Sequence, residues 1–256
     1  MKKTLSQRMQ KKINKLAKKV SDFLTKNKRE KEAAKNRIKF YSSFIKKGDL
    51  VFDVGAHVGN RVEAFLAIGA RVVAVEPQDS CAKILKKKFG DKISVVKKGL
   101  GGAEGKKKFY VSNATTLSTF SDEWMSAVKQ GRFRKQKWSN VGEIEITTLD
   151  NLIKKSGDPD FVKIDVEGYE AEVLSGLSRP VKMLSYEYTV PETLDKALQC
   201  LDRIISISKD VLCNYSTGES MEFALKEWVS PEKMRKIISS NDFINTGFGD
   251  VYVKKV

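Results

Sequence analysis

The 256-residue sequence contains a single histidine, His57. That scarcity removes every metal site built on two imidazoles, and any Ser-His or Cys-His catalysis would have to run through this one ring. Cysteine is sparse as well. Cys81, Cys200 and Cys213 are odd in number and far apart, which excludes a disulfide framework or a zinc cluster and points to reduced thiols in the cytoplasm. No stretch approaches the ~18 apolar residues of a membrane span. Met1-Lys2-Lys3 has the charge of a signal-peptide n-region, but no apolar h-region follows it. There is no G-x-x-x-x-G-K-[ST] loop, so a P-loop nucleotidase is excluded, and no internal repeat.

Positive charge, by contrast, is plentiful. Lys and Arg number 48 against 32 Asp and Glu, a formal net charge of +16, while 41% hydrophobic residues supply a core. The excess is concentrated at one end, where residues 1–48 hold 17 basic and 3 acidic side chains and the rest is close to neutral. Within this segment Met9, Ile13, Leu16, Val20 and Phe23 recur at helical spacing with lysines around them. Residues 1–40 therefore read as a basic amphipathic helical arm, and 41–256 as the globular domain. The seam could pack on its own domain, meet a partner helix, lie on an anionic membrane surface, or flank nucleic acid. The expectation drawn here is that the arm localises the protein, peripheral to the inner face of a membrane, and takes no part in chemistry.

From Gly48 onward, short β-branched runs alternate with helical stretches. Strands are expected at Leu50–Val54, Arg71–Val75, Ile93–Lys97, Phe161–Ile164, Met183–Tyr188, Val211–Tyr215 and Val251–Lys254. Helices are expected at Asn60–Ile68, Ser80–Phe89, Leu149–Lys155, Tyr169–Leu177, Glu192–Ile205 and Pro231–Ser239. Lys106–Ser112 and Gly142–Thr147 alternate like an antiparallel hairpin or edge strands, with a polar, partly helical loop between them; together they form an insertion at about 106–147. Alternating βαβ units with apolar strands define an α/β fold, a mostly parallel sheet with helices on both faces.

The first strand ends in Asp53-Val54-Gly55-Ala56-His57-Val58-Gly59-Asn60 and opens a helix. Glycines at such a turn let a ligand approach the backbone, and the helix start offers free N–H groups. The second strand ends in Glu76-Pro77, with Glu76 lying 21 residues beyond Gly55. That is close to the spacing at which a carboxylate meets ribose hydroxyls, so an adenosine-bearing ligand is expected. The glycines do not follow G-x-G-x-x-G, and an acid two residues before the first glycine suits S-adenosylmethionine better than NAD.

A second motif, Lys163-Ile164-Asp165-Val166-Glu167-Gly168-Tyr169-Glu170, follows the fourth main strand, with Thr148-Leu149-Asp150 upstream. With these blocks in order, the sequence resembles the FkbM-type family of S-adenosylmethionine-dependent methyltransferases from about Tyr41 to Gly176. His57 departs from the pattern, because the family usually carries Asn there. The resemblance implies a Rossmann-like class I methyltransferase fold with a seven-stranded sheet in the order 3-2-1-4-5-7-6, the last strand antiparallel. It also implies a cofactor crevice around Asp53, Gly55, His57, Gly59, Asn60, Glu76, Pro77 and Asp165, with Gly99 and Leu100 offering backbone groups to adenine.

Asp165, Glu167 and Glu187 are the carboxylates expected to converge at the strand ends, as a base for an acceptor hydroxyl or as ligands of a divalent cation. The metal is the less favoured use, since no ligand spacing demands one; Asp165 and Glu167 could instead cap the helix near Tyr169. His57 is a further candidate base, though its place in the turn also suits a side chain that ties the turn to nearby backbone. Trp124, Trp138 and the hydroxyls of Thr115–Thr119 could close over an acceptor or cover core surface. The expected activity is O-methylation of a small-molecule or glycan-like acceptor. An RNA methyltransferase using the basic arm, and a non-catalytic protein that kept the fold, are the alternatives. The near-neutral catalytic part and the absent Asn/Asp-Pro-Pro-aromatic signature weigh against the first of these.

Overall fold

The computed structural model describes residue 25 and residues 28–256. The amphipathic seam from Met9 to Phe23 lies outside the described residues. The chain runs through helix α1 (28–41), β1 (Leu50–Val54), α2 (Asn60–Ile68), β2 (Arg71–Val75), α3 (Asp79–Phe89), β3 (Ile93–Val96), β4 (Gly99–Leu100), β5 (Gly105–Ser112) and α4 (Asp122–Gln130). It continues through β6 (Trp138–Thr147), α5 (Leu149–Ser156), β7 (Phe161–Ile164), α6 (Glu170–Ser175), β8 (Met183–Thr189), α7 (Leu194–Ile207), β9 (Val211–Thr217), α8 (Pro231–Ile238), α9 (Asn241–Ile244) and β10 (Phe248–Lys255).

Seven strands form the main sheet in the order β3-β2-β1-β7-β8-β10-β9. Strand β1 pairs in parallel with β2 and β7, and β10 lies antiparallel between β8 and β9. This is the order that the family resemblance implied. Alternation along each strand assigns its side chains to two layers. Leu50, Phe52 and Val54 face α5, α6 and α7 through Leu152, Val173 and Leu201. Val51 and Phe161 face the other side, against Phe65 of α2, Leu85 of α3 and Tyr41 of α1. The last turn of α1 thus belongs to the core, and the border placed between residues 40 and 41 falls inside a helix. Among the described residues no helix is long and apolar enough to cross a membrane.

Glycine fixes the ends of α2: Gly69 closes it in the left-handed region, its N–H reaching Phe65 and Leu66 carbonyls. The insertion is more ordered than its sequence suggests. Strands β5 and β6 pair antiparallel, as expected, but β4 joins β6 in parallel, so the result is a separate three-stranded sheet. Strand β6 also begins earlier than the hydrophobic alternation suggests, at Trp138, whose partner is Ser112 beyond an irregularity between Lys108 and Tyr110. Between β5 and β6 the chain makes a 3-10 turn over Thr115–Leu117 and then α4, whose first turn is capped by Ser121 Oγ accepting from the Trp124 N–H at 3.0 Å.

Trp124, 1% exposed, docks this insertion on the main domain. A Cβ on Gly168 would stand 2.3 Å from the Trp124 ring, and Gly168 has a φ of +82°. Gly168→Ala is therefore expected to destabilise the protein by about 1–3 kcal/mol, from overpacking added to left-handed strain. Urea unfolding should show a lower midpoint with an unchanged m-value.

Candidate active site

The sheet face that carries Val51, Phe161, Met183 and Tyr252 in its middle turns polar at the strand ends. Register sets Asp53 beside Lys163, Lys163 beside Ser185, and Glu187 beside Asp250. Lys163 is fully buried, and its Nζ donates to Asp165 Oδ2 at 2.9 Å and Asp250 Oδ1 at 3.1 Å. Burial alone would lower its pKa, but Asp165 and Asp250 reverse that and hold the ammonium well above its ordinary value. For Asp165, burial pushes upward and the Lys163 and Arg61 charges outweigh it, so its pKa falls. Glu167 and Glu187 are placed differently. Burial and the neighbouring Asp165 charge raise both well above the usual carboxylate range.

Asp165, Glu167 and Glu187 each offer an oxygen within 4.8 Å of the others, all on half-buried side chains. The convergence expected from the sequence is thus present. Neither Asp165 nor Glu167 caps α6. Glu170, the first residue of α6, instead braces the loop before it, its Oε1 accepting from the N–H groups of Val166 at 3.0 Å and Gly168 at 3.2 Å. Burial lifts the Glu170 pKa to about 7. Glu167 itself adopts a φ of +55°, and Thr119 Oγ1 of the insertion donates to its carbonyl at 2.7 Å.

Glu76 makes a similar staple on the other side. Its two oxygens accept from the N–H groups of His57 and Gln78, each at 2.8 Å, joining the turn after β1 to the start of α3. Burial raises its pKa to about 7. His57, at φ +47°, places its ring against the insertion: Nε2 lies 2.8 Å from Thr115 Oγ1. The ring ties the turn to an insertion hydroxyl rather than to backbone, and burial lowers its pKa.

Two spaces open at these strand ends. A groove of about 40 Å³ is lined by Glu76, Pro77, Gln78, Gly99, Leu100 and Phe120. A polar cavity of about 470 Å³ adjoins it, lined by Asp53, Arg61, Arg132, Phe133, Glu187 and Thr189 among others. Gly55, His57, Asp165 and Glu167 border both. The 3-10 turn is clasped over the groove, for Gln78 Nε2 donates to the Thr115 carbonyl at 3.1 Å and Ser118 Oγ to Gln78 Oε1 at 3.2 Å.

Most residues singled out from the sequence border these two spaces, Asn60 in the cavity and Pro77 in the groove. Gly59 does not. A Cβ there would meet Phe89 at 2.4 Å and Leu85 at 2.9 Å, so this glycine serves the packing of α2 on α3. A Cβ on Gly55 would fall 1.8 Å from the Asp165 carbonyl, which makes β1 and β7 the close neighbours that require it. Trp124 covers core, and Trp138 Nε1 donates to the Leu117 carbonyl at 2.7 Å. Asp250, Arg61 and Arg132 were not singled out from the sequence, and Lys163 stood there as the first residue of the second motif with no role given to it, although it interrupts the otherwise apolar run Phe161-Val162-Lys163-Ile164.

A seven-stranded sheet with antiparallel β10 and a ligand groove at its carboxyl edge is the architecture of class I methyltransferases. The family model described as Methyltransferase FkbM domain matches residues 53–244, and the chain belongs to that family. No curated protein matches the sequence. Among solved structures the chain is similar to the precorrin-6y C5,15-methyltransferase from Geobacter metallireducens, with 12% identity, 86% of each chain covered and a TM-score of 0.42. It is also similar to the plantazolicin methyltransferase BpumL in complex with SAH, with 11% identity, 93% of this chain and 89% of that one covered, and a TM-score of 0.44. An rRNA methylase from Streptococcus thermophilus has 12% identity over 86% of this chain and 93% of its own, with a TM-score of 0.42.

The family implies S-adenosylmethionine as methyl donor, and the residues present suit it. Glu76 offers acceptor oxygens suited to ribose hydroxyls, Pro77, Leu100 and Phe120 offer apolar walls, and Asp53 Oδ2, beside the adjoining cavity, is a buried acceptor with no partner among the described residues. Burial with the nearby Lys163 charge in opposition leaves the Asp53 pKa raised to about 6. Hydroxyls donating to Glu76 favour its ionised form, so binding should release a proton. S-adenosylhomocysteine affinity is then expected to rise with pH through about 7 and to level off above it. In the unliganded protein the sign is opposite: a raised carboxylate pKa makes stability fall as pH climbs from the ordinary carboxylate range through about 7. Glu76→Gln should flatten both dependences, and Glu76→Ala should weaken binding by about 1.5–3 kcal/mol in calorimetry.

Proposed function

We propose that the chain is an S-adenosylmethionine-dependent O-methyltransferase acting on a hydroxyl of a small-molecule or glycan-like acceptor. The observation that carries this reading is the position of the carboxylate rim. Asp165 and Glu167 border both the groove beside Glu76 and the polar cavity, the spaces assigned here to donor and acceptor, so a base stands where the two meet. S-adenosylmethionine supplies an electrophilic methyl group on a sulfonium.

The chain's own contribution is to orient the acceptor and take its proton. With the donor held beside Glu76, Pro77 and Leu100, methyl transfer to the acceptor oxygen would release S-adenosylhomocysteine. The hydroxyl proton passes to a carboxylate. Asp165, kept ionised by Lys163 and Arg61, is the acceptor of that proton. Glu187, whose raised pKa keeps it protonated, hydrogen-bonds to Asp165 and supports its ionised form before the transfer. His57 is engaged with Thr115 and is assigned to positioning the turn.

A labelled-methyl transfer assay against free glycans, lipid-linked sugars and RNA tests the acceptor class. Glycan labelling without RNA labelling is the expected result. Asp165→Asn and Glu187→Gln should each lower turnover by about 10²–10⁴-fold while S-adenosylhomocysteine affinity stays within about threefold. Equal losses in both quantities would place Asp165 in the cofactor site instead. Turnover is expected to persist in EDTA; a loss restored by Mg²⁺ would reassign the three carboxylates to a metal.

A further inference from the structure

Beyond the carboxylate cavity lies another of about 600 Å³, between α1 and the first turn of α2, with Lys28, Arg29, Arg37, Arg61 and Glu219 in its wall. The two cavities share Asn60, Arg61 and Glu219, so they form adjoining spaces on either side of one arginine. The outer one carries four basic side chains against two acidic ones, Glu32 and Glu219. Glu219 binds Arg61 Nη2 through both oxygens, at 2.7 and 2.8 Å. That leaves donors unused. Arg61 Nε and Arg37 Nε are both buried without a partner among the described residues, and both side chains belong to the same wall. The Arg61 side chain is only 15% exposed. Burial and the nearby Arg61 charge both act against the charged form of Arg37. Planar guanidinium forks with free N–H groups and a shared like-charge penalty are relieved by an oxyanion, which takes paired hydrogen bonds and cancels the repulsion.

We propose that this cavity receives an anionic group of the methyl acceptor, a phosphate or a carboxylate, with Arg37 and Arg61 as its ligands. The assignment rests on the methyltransferase reading for the inner cavity and narrows its substrate class: the acceptor's hydroxyl reaches the Asp165 rim while its charge lies against the two arginines. Arg37 belongs to α1, so the segment expected from the sequence only to localise the protein supplies a wall of the acceptor site.

Titration calorimetry on the full chain, with inorganic phosphate and malonate at ionic strength matched by chloride, tests this. One saturable site per chain is expected for at least one of the two anions, and the stronger arm names the group. Arg37→Gln should weaken that binding by at least about tenfold while S-adenosylhomocysteine binding is unchanged. Arg37→Lys, which keeps the charge and removes Nε, should weaken it too, and covers the case in which the glutamine variant does not fold. The exposed pair Lys86→Gln, Lys87→Gln on α3 should have no effect. Absence of saturable binding, indifference to both Arg37 variants, or equal weakening by the α3 pair overturns the proposal. Loss of S-adenosylhomocysteine binding with anion binding intact would instead strike the methyltransferase reading and leave the anion site standing.

Discussion

One buried ammonium organises the whole polar end of the sheet. Lys163 Nζ sits between Asp165 and Asp250, with Asp53 level with it on the adjacent strand. Carboxylates removed from water at this density stay ionised only where a cation faces them. A single lysine cannot face all of them, and this shortage sorts the acids. Asp165, which it touches, is held below its ordinary pKa, whereas Glu167 and Glu187 are driven above it. Neighbouring carboxyl groups with pKa values pushed apart are the usual means by which one rim supplies both a proton acceptor and a proton carrier. Asp53, Lys163, Glu187 and Asp250 are anchored in backbone register across β1, β7, β8 and β10, while Asp165 and Glu167 stand in the loop that follows β7.

The loops after β2 and β7 use the same device twice. Glu76 grips two backbone N–H groups beside the groove, and Glu170 grips two below the carboxylate rim. Each is a buried acid whose acceptors are partly used by the chain itself, with a pKa lifted to about 7. Turns that would otherwise leave amide donors unsatisfied are thereby fixed. The site walls are consequently positioned before any ligand arrives.

How much of this the sequence discloses follows from the range of each interaction. Strand β1 and helix α2 could be delimited to the residue, because local alternation, a positive-φ glycine and a closing Gly69 are all short-range signals. The motif residues Asp53, Glu76 and Asp165 were visible for the same reason. Asp250, Arg61 and Arg132 were not, and Lys163 was visible only as a motif letter, since their importance arises from pairings between strands and helices far apart in the chain. Glycines disclosed only part of their role. Gly59 read as a ligand approach but lines neither space, and its missing Cβ makes room for Phe89; Gly55 does border both spaces, while its missing Cβ makes room for the Asp165 carbonyl. A sequence shows that a position needs glycine but not which neighbour requires it.

The insertion touches both binding spaces. Thr115 and Ser118 hold the clasp over the groove, while Thr116, Leu117, Arg132 and Phe133 line the larger cavity, and Trp124 rivets the unit to Gly168. A body that borders both spaces links them: where occupation of one favours a placement of this unit that the other occupant also favours, each raises the affinity of the other by the same factor. The 106–147 segment is thus the element through which groove and cavity would be coupled, even if their occupants never touch.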